Sequence, residues 1–202
     1  MYRDTELFLE HLRPYYNGAV KYCRALTFRT SKDDAEDLFQ QSVLKGLENF
    51  SKLNERDKFK SWFFKIITNE FINHTRKLFW KRFLPLDENM NHSKMPEVFD
   101  EIEKNEKSQV LYYALSKLNN KERACILLFE MAEFSLEEIK NLQNEKSLSA
   151  VKSRLSRARS KLKKLIIKAE SSLGIRFKKI SKNNLGDLEN EILKLISEFK
   201  HE

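Results

Sequence analysis

Apolar residues recur at helical spacing over most of the chain. From Thr5 to Thr27, Leu7, Phe8, Leu12, Tyr15, Tyr16, Ala19, Val20, Cys23 and Leu26 keep a period near 3.6, interrupted at Pro14. That pattern predicts two helical pieces, or one helix kinked at His11 to Arg13. Ser31 then caps a new helix whose first turn holds Asp33 and Asp34, where the helix dipole favours acids. Ala35, Leu38, Phe39, Ser42, Gly46, Leu47 and Phe50 line its inner face. Ser51 to Lys58 (SKLNERDK) is a polar loop, and Phe59 opens a helix with Phe59, Trp62, Phe63, Ile66 and Ile67 as its core stripe. Phe64, Phe71, Phe79 and Trp80 are left over, more aromatics than one face can hide.

The pattern breaks from Leu84 to Lys107, which carries Pro85, Pro96 and seven acidic residues and reads as a flexible acidic linker between two domains. Beyond it Val110, Leu111, Ala114, Leu115 and Leu118 form a helix ending at an Asn119-Asn120 turn. Asn120 caps the next helix, through Ala124, Leu127, Leu128 and Met131. Ser135 with Glu138 three residues on is a capping box, preceded by Phe134 placed to staple onto Ile139; the short helix buries Ile139 and Leu142. A longer helix starts at Ser147 with Val151, Leu155, Ala158, Leu162 and Leu165 on one stripe. After Glu170 come a Gly174 break, a basic patch and an amphipathic helix from Leu185 to Phe199.

Charge changes this picture. The chain has 202 residues and a formal net charge of +8, which points to nucleic acid or an anionic surface. Nine Lys or Arg and no acid lie between Lys146 and Ala169, so the helix from Ser147 has no acidic partner of its own. A basic run alone is more often a solvated surface helix than a DNA reader. The capped short helix directly upstream, at helix-turn-helix spacing, and Ser149, Ser153 and Ser156 interleaved at the N-terminal end turn the reading to DNA binding. In the first half, Lys60, Lys65, Asn69, Asn73, Arg76, Lys77, Lys81 and Arg82 interleave with the surplus aromatics, a pairing suited to single-stranded nucleic acid. Asp34, Glu36, Asp37, Gln40 and Gln41 make an acidic, amide-rich face that fits a basic protein partner or a solvated surface.

Four Gly and three Pro agree with an all-α fold. Cys23 and Cys125 lack CxxC spacing and read as buried small hydrophobes, and the scattered histidines (His11, His74, His92, His201) form no metal or catalytic motif. No catalytic residues, metal or cofactor are expected. With no apolar run of about 20 residues and no signal-peptide core, a cytoplasmic protein without membrane insertion is expected.

Four stretches in order, DAEDLFQQSVLKGLENF (34–50), FKSWFFKIITNEFINHTRK (59–77), LNNKERACILLFEMAEFSLEEI (118–139) and VKSRLSRARSKLKKL (151–165), resemble the extracytoplasmic-function (ECF) sigma factors of bacterial RNA polymerase. The resemblance covers about residues 5 to 168. It implies an all-α chain of two small helical domains: a sigma-2 bundle (1–83) and a sigma-4 helix-turn-helix (108–169), joined by the acidic linker (84–107) and followed by an extension (170–202). It further implies a promoter-specificity subunit of core RNA polymerase, with a free-standing helix-turn-helix regulator as the alternative. Asp34, Glu36, Asp37, Leu38, Gln40 and Gln41 would then dock on the clamp helices of the largest subunit. The Ser51 to Lys58 loop would hold a flipped minus-10 base, while Trp62, Lys65, Asn69, Asn73, Arg76 and Lys77 recognise and help melt that element. Lys152, Ser153, Arg154, Ser156 and Arg157 would meet the minus-35 element in the major groove. Promoter DNA, double-stranded and melted, is thus an implied partner, and the family also admits an anti-sigma factor. The acidic linker resembles the family segment that threads the polymerase's RNA path. One departure stands out: the family carries a Gly in the turn of its helix-turn-helix, whereas LQNEKSLSA here has none and is one residue longer.

Overall fold

The caps and breaks of the sequence delimit eight α-helices among the residues that the computed structural model describes, 2–27, 32–83 and 106–173. The chain divides into two compact units, Met1–Val98 and Phe99–Glu202. Ser31, the linker up to residue 105, Gly174 and the helix expected over 185–199 lie outside the described residues.

In the first unit α1 (Tyr2–Leu12) and α2 (Tyr16–Thr27) are separated by a single 3-10 turn, Arg13–Tyr15, where Pro14 withholds a backbone donor. Helix α3 (Lys32–Asn49) packs on α1 and α2, and α4 (Phe59–Phe83) packs on α1, α2 and α3. The core centres on Phe8, fully buried, whose ring meets Phe50 and Phe59 edge-on at 5.5 Å and Phe63 at 6.0 Å. Each such ring contributes about 1.5–3 kcal/mol by burial, and each edge contact about 0.5–1.5 kcal/mol more. Gly46 makes room for this cluster: a Cβ there would sit 2.7 Å from Phe8 Cε2.

Phe64 and Phe71, read from the sequence as surplus to the core, are each 2% exposed. Because three helices press on α4, it buries a sector far wider than one stripe; the Tyr22 ring lies 5.3 Å from Phe64, and the Tyr22 hydroxyl and Thr68 Oγ1 are 3.0 Å apart. Trp62 and Ile66, expected in the stripe, are half-buried. Phe79 and Trp80 lie in the final turns of α4, where side chains fall outside the described residues.

The second unit comprises α5 (Glu106–Ser116), α6 (Asn120–Glu130), α7 (Leu136–Leu142) and α8 (Leu148–Leu173), with α5, α6 and α7 all packed on α8. Glu106 and Lys107, read as the end of the linker, open α5. The cap of α6 is Asn119, one residue earlier than expected: its side chain accepts from the Glu122 amide at 2.8 Å while Glu122 Oε2 accepts from the Asn119 amide at 3.2 Å. This N-x-x-E pairing satisfies two amides that Asn120 would leave open. Arg123, 6% exposed, closes the preceding helix by donating to the carbonyls of Leu115, Ser116 and Leu118. The Ser135–Glu138 capping box forms as expected, and Ser147 Oγ accepts from the Ala150 amide at 3.2 Å to start α8. The buried stripe of α8 runs Val151, Leu155, Ala158, Leu162 and then Ile166, fully buried, rather than Leu165, which is half-buried: a step of four keeps the stripe on one side.

Candidate nucleic-acid interface

The turn between α7 and α8 sets how the basic helix is presented. Gln143 ends α7, Asn144 takes the left-handed conformation (φ 50°), and the Glu145 amide reaches back to the Lys140 carbonyl at 2.9 Å. Asn tolerates that conformation, so it serves here where a Gly is the common choice.

Gln143 and Glu145, flanking Asn144, both grip α8. Arg154 donates to Gln143 Oε1 (2.8 Å) and pairs with Glu145 Oε1 (2.9 Å), and Lys121 Nζ joins the same carboxylate at 3.1 Å. Two further ties follow along the helix. Arg159 donates through Nε and Nη2 to Glu130 Oε1 (3.0 and 2.6 Å), and Lys161 pairs with Glu122 Oε2 at 2.7 Å. From Leu148 to Ala169 α8 carries no acid of its own, and the partners of Arg154, Arg159 and Lys161 come instead from α6 and the turn. Burial pushes the Glu145 carboxyl up, but hydrogen bonds from Lys121 and Arg154 and their charges outweigh it and hold the group below its ordinary value.

With these cations engaged, the outward side of α8 carries Lys152, Ser153, Ser156 and Arg157, all exposed, together with exposed Ser149, Ser160 and Lys164. Four of the five residues expected nearest DNA share that side. Arg154 does not: its side chain is 13% exposed and turned to the turn residues.

On α4, Trp62, Lys65, Asn69, Asn73 and Arg76 recur at steps of three or four and span roughly 80° of arc at 100° per residue. Asn69 and Arg76 are exposed; Trp62, Lys65 and Asn73 are half-buried. Lys77 belongs to the same helix, with its side chain outside the described residues. Beside this face the Ser51 to Lys58 segment is built rather than loose. It holds two 3-10 turns, Phe50–Lys52 and Arg56–Lys58, and Arg56 lies 3.8 Å over the Phe50 ring while donating to the Phe50 carbonyl at 2.7 Å. Trp62 stands 6.4 Å from the same ring. Ser51, Lys52, Asn54, Glu55, Asp57 and Lys58 are left exposed on this small platform.

On α3 the acidic face is present: Glu36, Asp37, Gln40 and Gln41 are exposed and Asp34 is half-buried. Leu38, named among the docking residues, is 6% exposed and belongs to the core, because it falls on the inner stripe with Ala35 and Ser42. Leu44, 53% exposed, sits on the outer face three and four residues beyond Gln41 and Gln40. Sequence reading passed over it; a leucine off the inner stripe was the available signal. Lys45 bridges α3 to Glu70 of α4 at 2.6 Å, fixing the two surfaces against one another.

Among the described residues no His, Cys, Asp or Glu group could hold a metal, and no helix is long and apolar enough to cross a membrane. Cys23 and Cys125 are buried free thiols; burial raises both above the ordinary thiol value, Cys125 to about 11, so neither is a ready nucleophile.

Comparison with known proteins adds three findings. The sigma-70 region 2 family matches residues 7–81. The RNA polymerase sigma factor YlaC of Bacillus subtilis is 29% identical over 161 residues, 78% of this chain and 90% of the relative; SigV of the same organism is 28% identical over 153 residues, 74% and 82%. In fold, the chain matches the sigma factor RpoE from Bartonella quintana, solved with the anti-sigma factor NepR, with a TM-score of 0.61, 24% identity, and coverage of 79% of this chain and 96% of that one.

Proposed function

We propose that this chain is an ECF sigma factor of the sigma-70 family, which binds core RNA polymerase and directs it to its promoters. The observation that carries this reading is the presence, in one chain and in order, of an acidic outer face on α3, an aromatic and basic face on α4 beside a rigid platform, and a cationic helix held in a helix-turn-helix. A free-standing helix-turn-helix regulator would leave the first two surfaces without a role, and the sigma-70 region 2 match lies wholly within the first unit.

In this reading Glu36, Asp37, Gln40 and Gln41, with Leu44 at the C-terminal end of the same face, dock on the clamp helices of the largest polymerase subunit. A lone exposed leucine among acids suits an interface that uses charge for orientation and one apolar anchor for affinity. Trp62, Lys65, Asn69, Asn73, Arg76 and Lys77 form the minus-10 surface. The platform over Phe50 receives a flipped base, since a pocket that captures an unstacked base offsets the cost of opening the duplex. Lys152, Ser153, Ser156 and Arg157 enter the major groove at the minus-35 element: the cations suit guanine or phosphate, and the short serines let the helix approach closely. The residues 84–107 connect the two functions. The protein acts in the cytoplasm, as a binding subunit without catalysis of its own, and an anti-sigma factor such as the one bound to the structural relative is a candidate regulator.

Separation of function tests these roles. Asp37→Ala with Gln41→Ala should weaken co-elution with core polymerase about tenfold or more. Asn69→Ala with Asn73→Ala should preserve co-elution and abolish promoter opening, read by permanganate reactivity of unpaired thymines. Equal loss of both properties in both variants would refute the assignment.

A further inference from the structure

We infer that Arg154 is a positioning residue: clamped by Gln143 and Glu145, it sets the rotation of α8 about its axis and so selects which base pairs Lys152, Ser153, Ser156 and Arg157 address. The inference deepens the minus-35 role proposed above and rests on it.

Three observations carry it. The guanidinium fork is divided between two acceptors, Gln143 Oε1 at 2.8 Å and Glu145 Oε1 at 2.9 Å, so its donors are aimed into the protein. Both acceptors are themselves fixed to the start of α6: Gln143 Nε2 donates to the Lys121 carbonyl at 3.1 Å, and Lys121 Nζ reaches Glu145 Oε1 at 3.1 Å. Arg154 and Glu145 are each 13% exposed, so salt screens their pair less than one on open surface. The clamp therefore closes a ring from α6 through the turn to the first exposed turns of α8.

Geometry says why this matters for reading DNA. A helix with side chains has a radius of about 5–6 Å, so turning α8 by about 20° displaces the tips of its outward residues by roughly 2 Å. Base-edge hydrogen bonds fail over a few tenths of an ångström to about half an ångström. The buried stripe limits sliding of α8, but one stripe of aliphatic side chains tolerates a modest roll. The Arg154 fork, attached off the stripe, resists that roll.

Glu145 is a carboxylate near a cationic DNA-facing helix, so on charge alone Glu145→Gln should tighten DNA binding at every promoter. If Arg154 is held for positioning, Glu145→Gln should instead change promoter choice. The experiment uses the full chain with core polymerase on the promoters from which the wild type initiates, comparing Glu145→Gln, Arg154→Gln, their double variant and Arg157→Gln. Expected are shifts of about fivefold or more in relative promoter use, in the same direction for Glu145→Gln and Arg154→Gln, with the double variant no worse than either single one. The slope of promoter affinity against salt should be unchanged for Arg154→Gln and about 0.9 shallower for Arg157→Gln, a phosphate or base contact. Circular dichroism of each variant guards against loss of folding, and Glu145→Gln, nearly isosteric, is the variant least exposed to it. A slope for Arg154→Gln as shallow as for Arg157→Gln, or uniform tightening by Glu145→Gln, would overturn the positioning role. So would a uniform loss at all promoters with lowered thermal stability, which marks mere structural support. If the wild type initiates nowhere, the underlying sigma reading fails and this inference with it.

Discussion

Helix α4 takes its orientation mainly from rings, with Phe59, Phe63, Phe64 and Phe71, and the aliphatic Ile67 beside them, buried against three neighbouring helices. Helix α8 buries one stripe of smaller side chains and relies for the rest on Arg154, Arg159 and Lys161, tied to acids at positions 145, 130 and 122. A helix wrapped on a wide sector cannot roll without opening cavities, and salt scarcely touches that restraint. A helix held by ion ties on its shoulders keeps its orientation only while those charges persist. Two surfaces proposed to meet promoter DNA are thus stabilised by opposite means, and the contrast can be broken at either end.

The largest effect belongs to the ring cluster. Phe8→Ala should destabilise the first unit by about 3–5 kcal/mol through the cavity it leaves. Both tryptophans, Trp62 and Trp80, precede residue 98, so their fluorescence in a denaturant titration reads this unit directly. Gly46→Ala comes next at about 1–3 kcal/mol, although alanine is the better helix former by about 1 kcal/mol, because the new methyl would lie 2.7 Å from Phe8. A neutral result there would mean that the ring can step aside.

The second unit should respond instead to acid. Glu145 has a folded-state value below its ordinary 4.5, so its contribution is fully present above the unfolded value and is lost as pH falls through the lowered folded one. Thermal scans between pH 6 and 3 should show a loss that Glu145→Gln flattens. The smallest effect is at the turn: Asn144→Gly should raise stability by up to about 1 kcal/mol, since φ is 50° there and glycine adopts it without strain.

How much was visible beforehand follows from where the signals lie in the chain. Boundaries carried by local chemistry could be read: the break at Pro14, the Ser135–Glu138 box and the Ser147 start all stand where periodicity and caps put them. Asn119 was missed by one position because the Asn-Asn pair offers two caps and only the acid three residues on decides between them. Phe64 and Phe71 were misread because a one-face template does not describe a helix pressed by three others. The ion ties were invisible because their partners are 29 and 39 residues apart for Arg159 and Lys161, and no periodicity links such distances. The family resemblance put Leu38 and Arg154 on functional faces, whereas their burial and partners follow from packing.

The most direct measurement is run-off transcription with purified cognate core polymerase on a genomic promoter library, with and without this protein. Specific start sites that appear only on its addition, sharing two upstream elements, are the expected result. Co-elution with core and no start sites, or no co-elution at all, would contradict the proposed role as a promoter-specificity subunit.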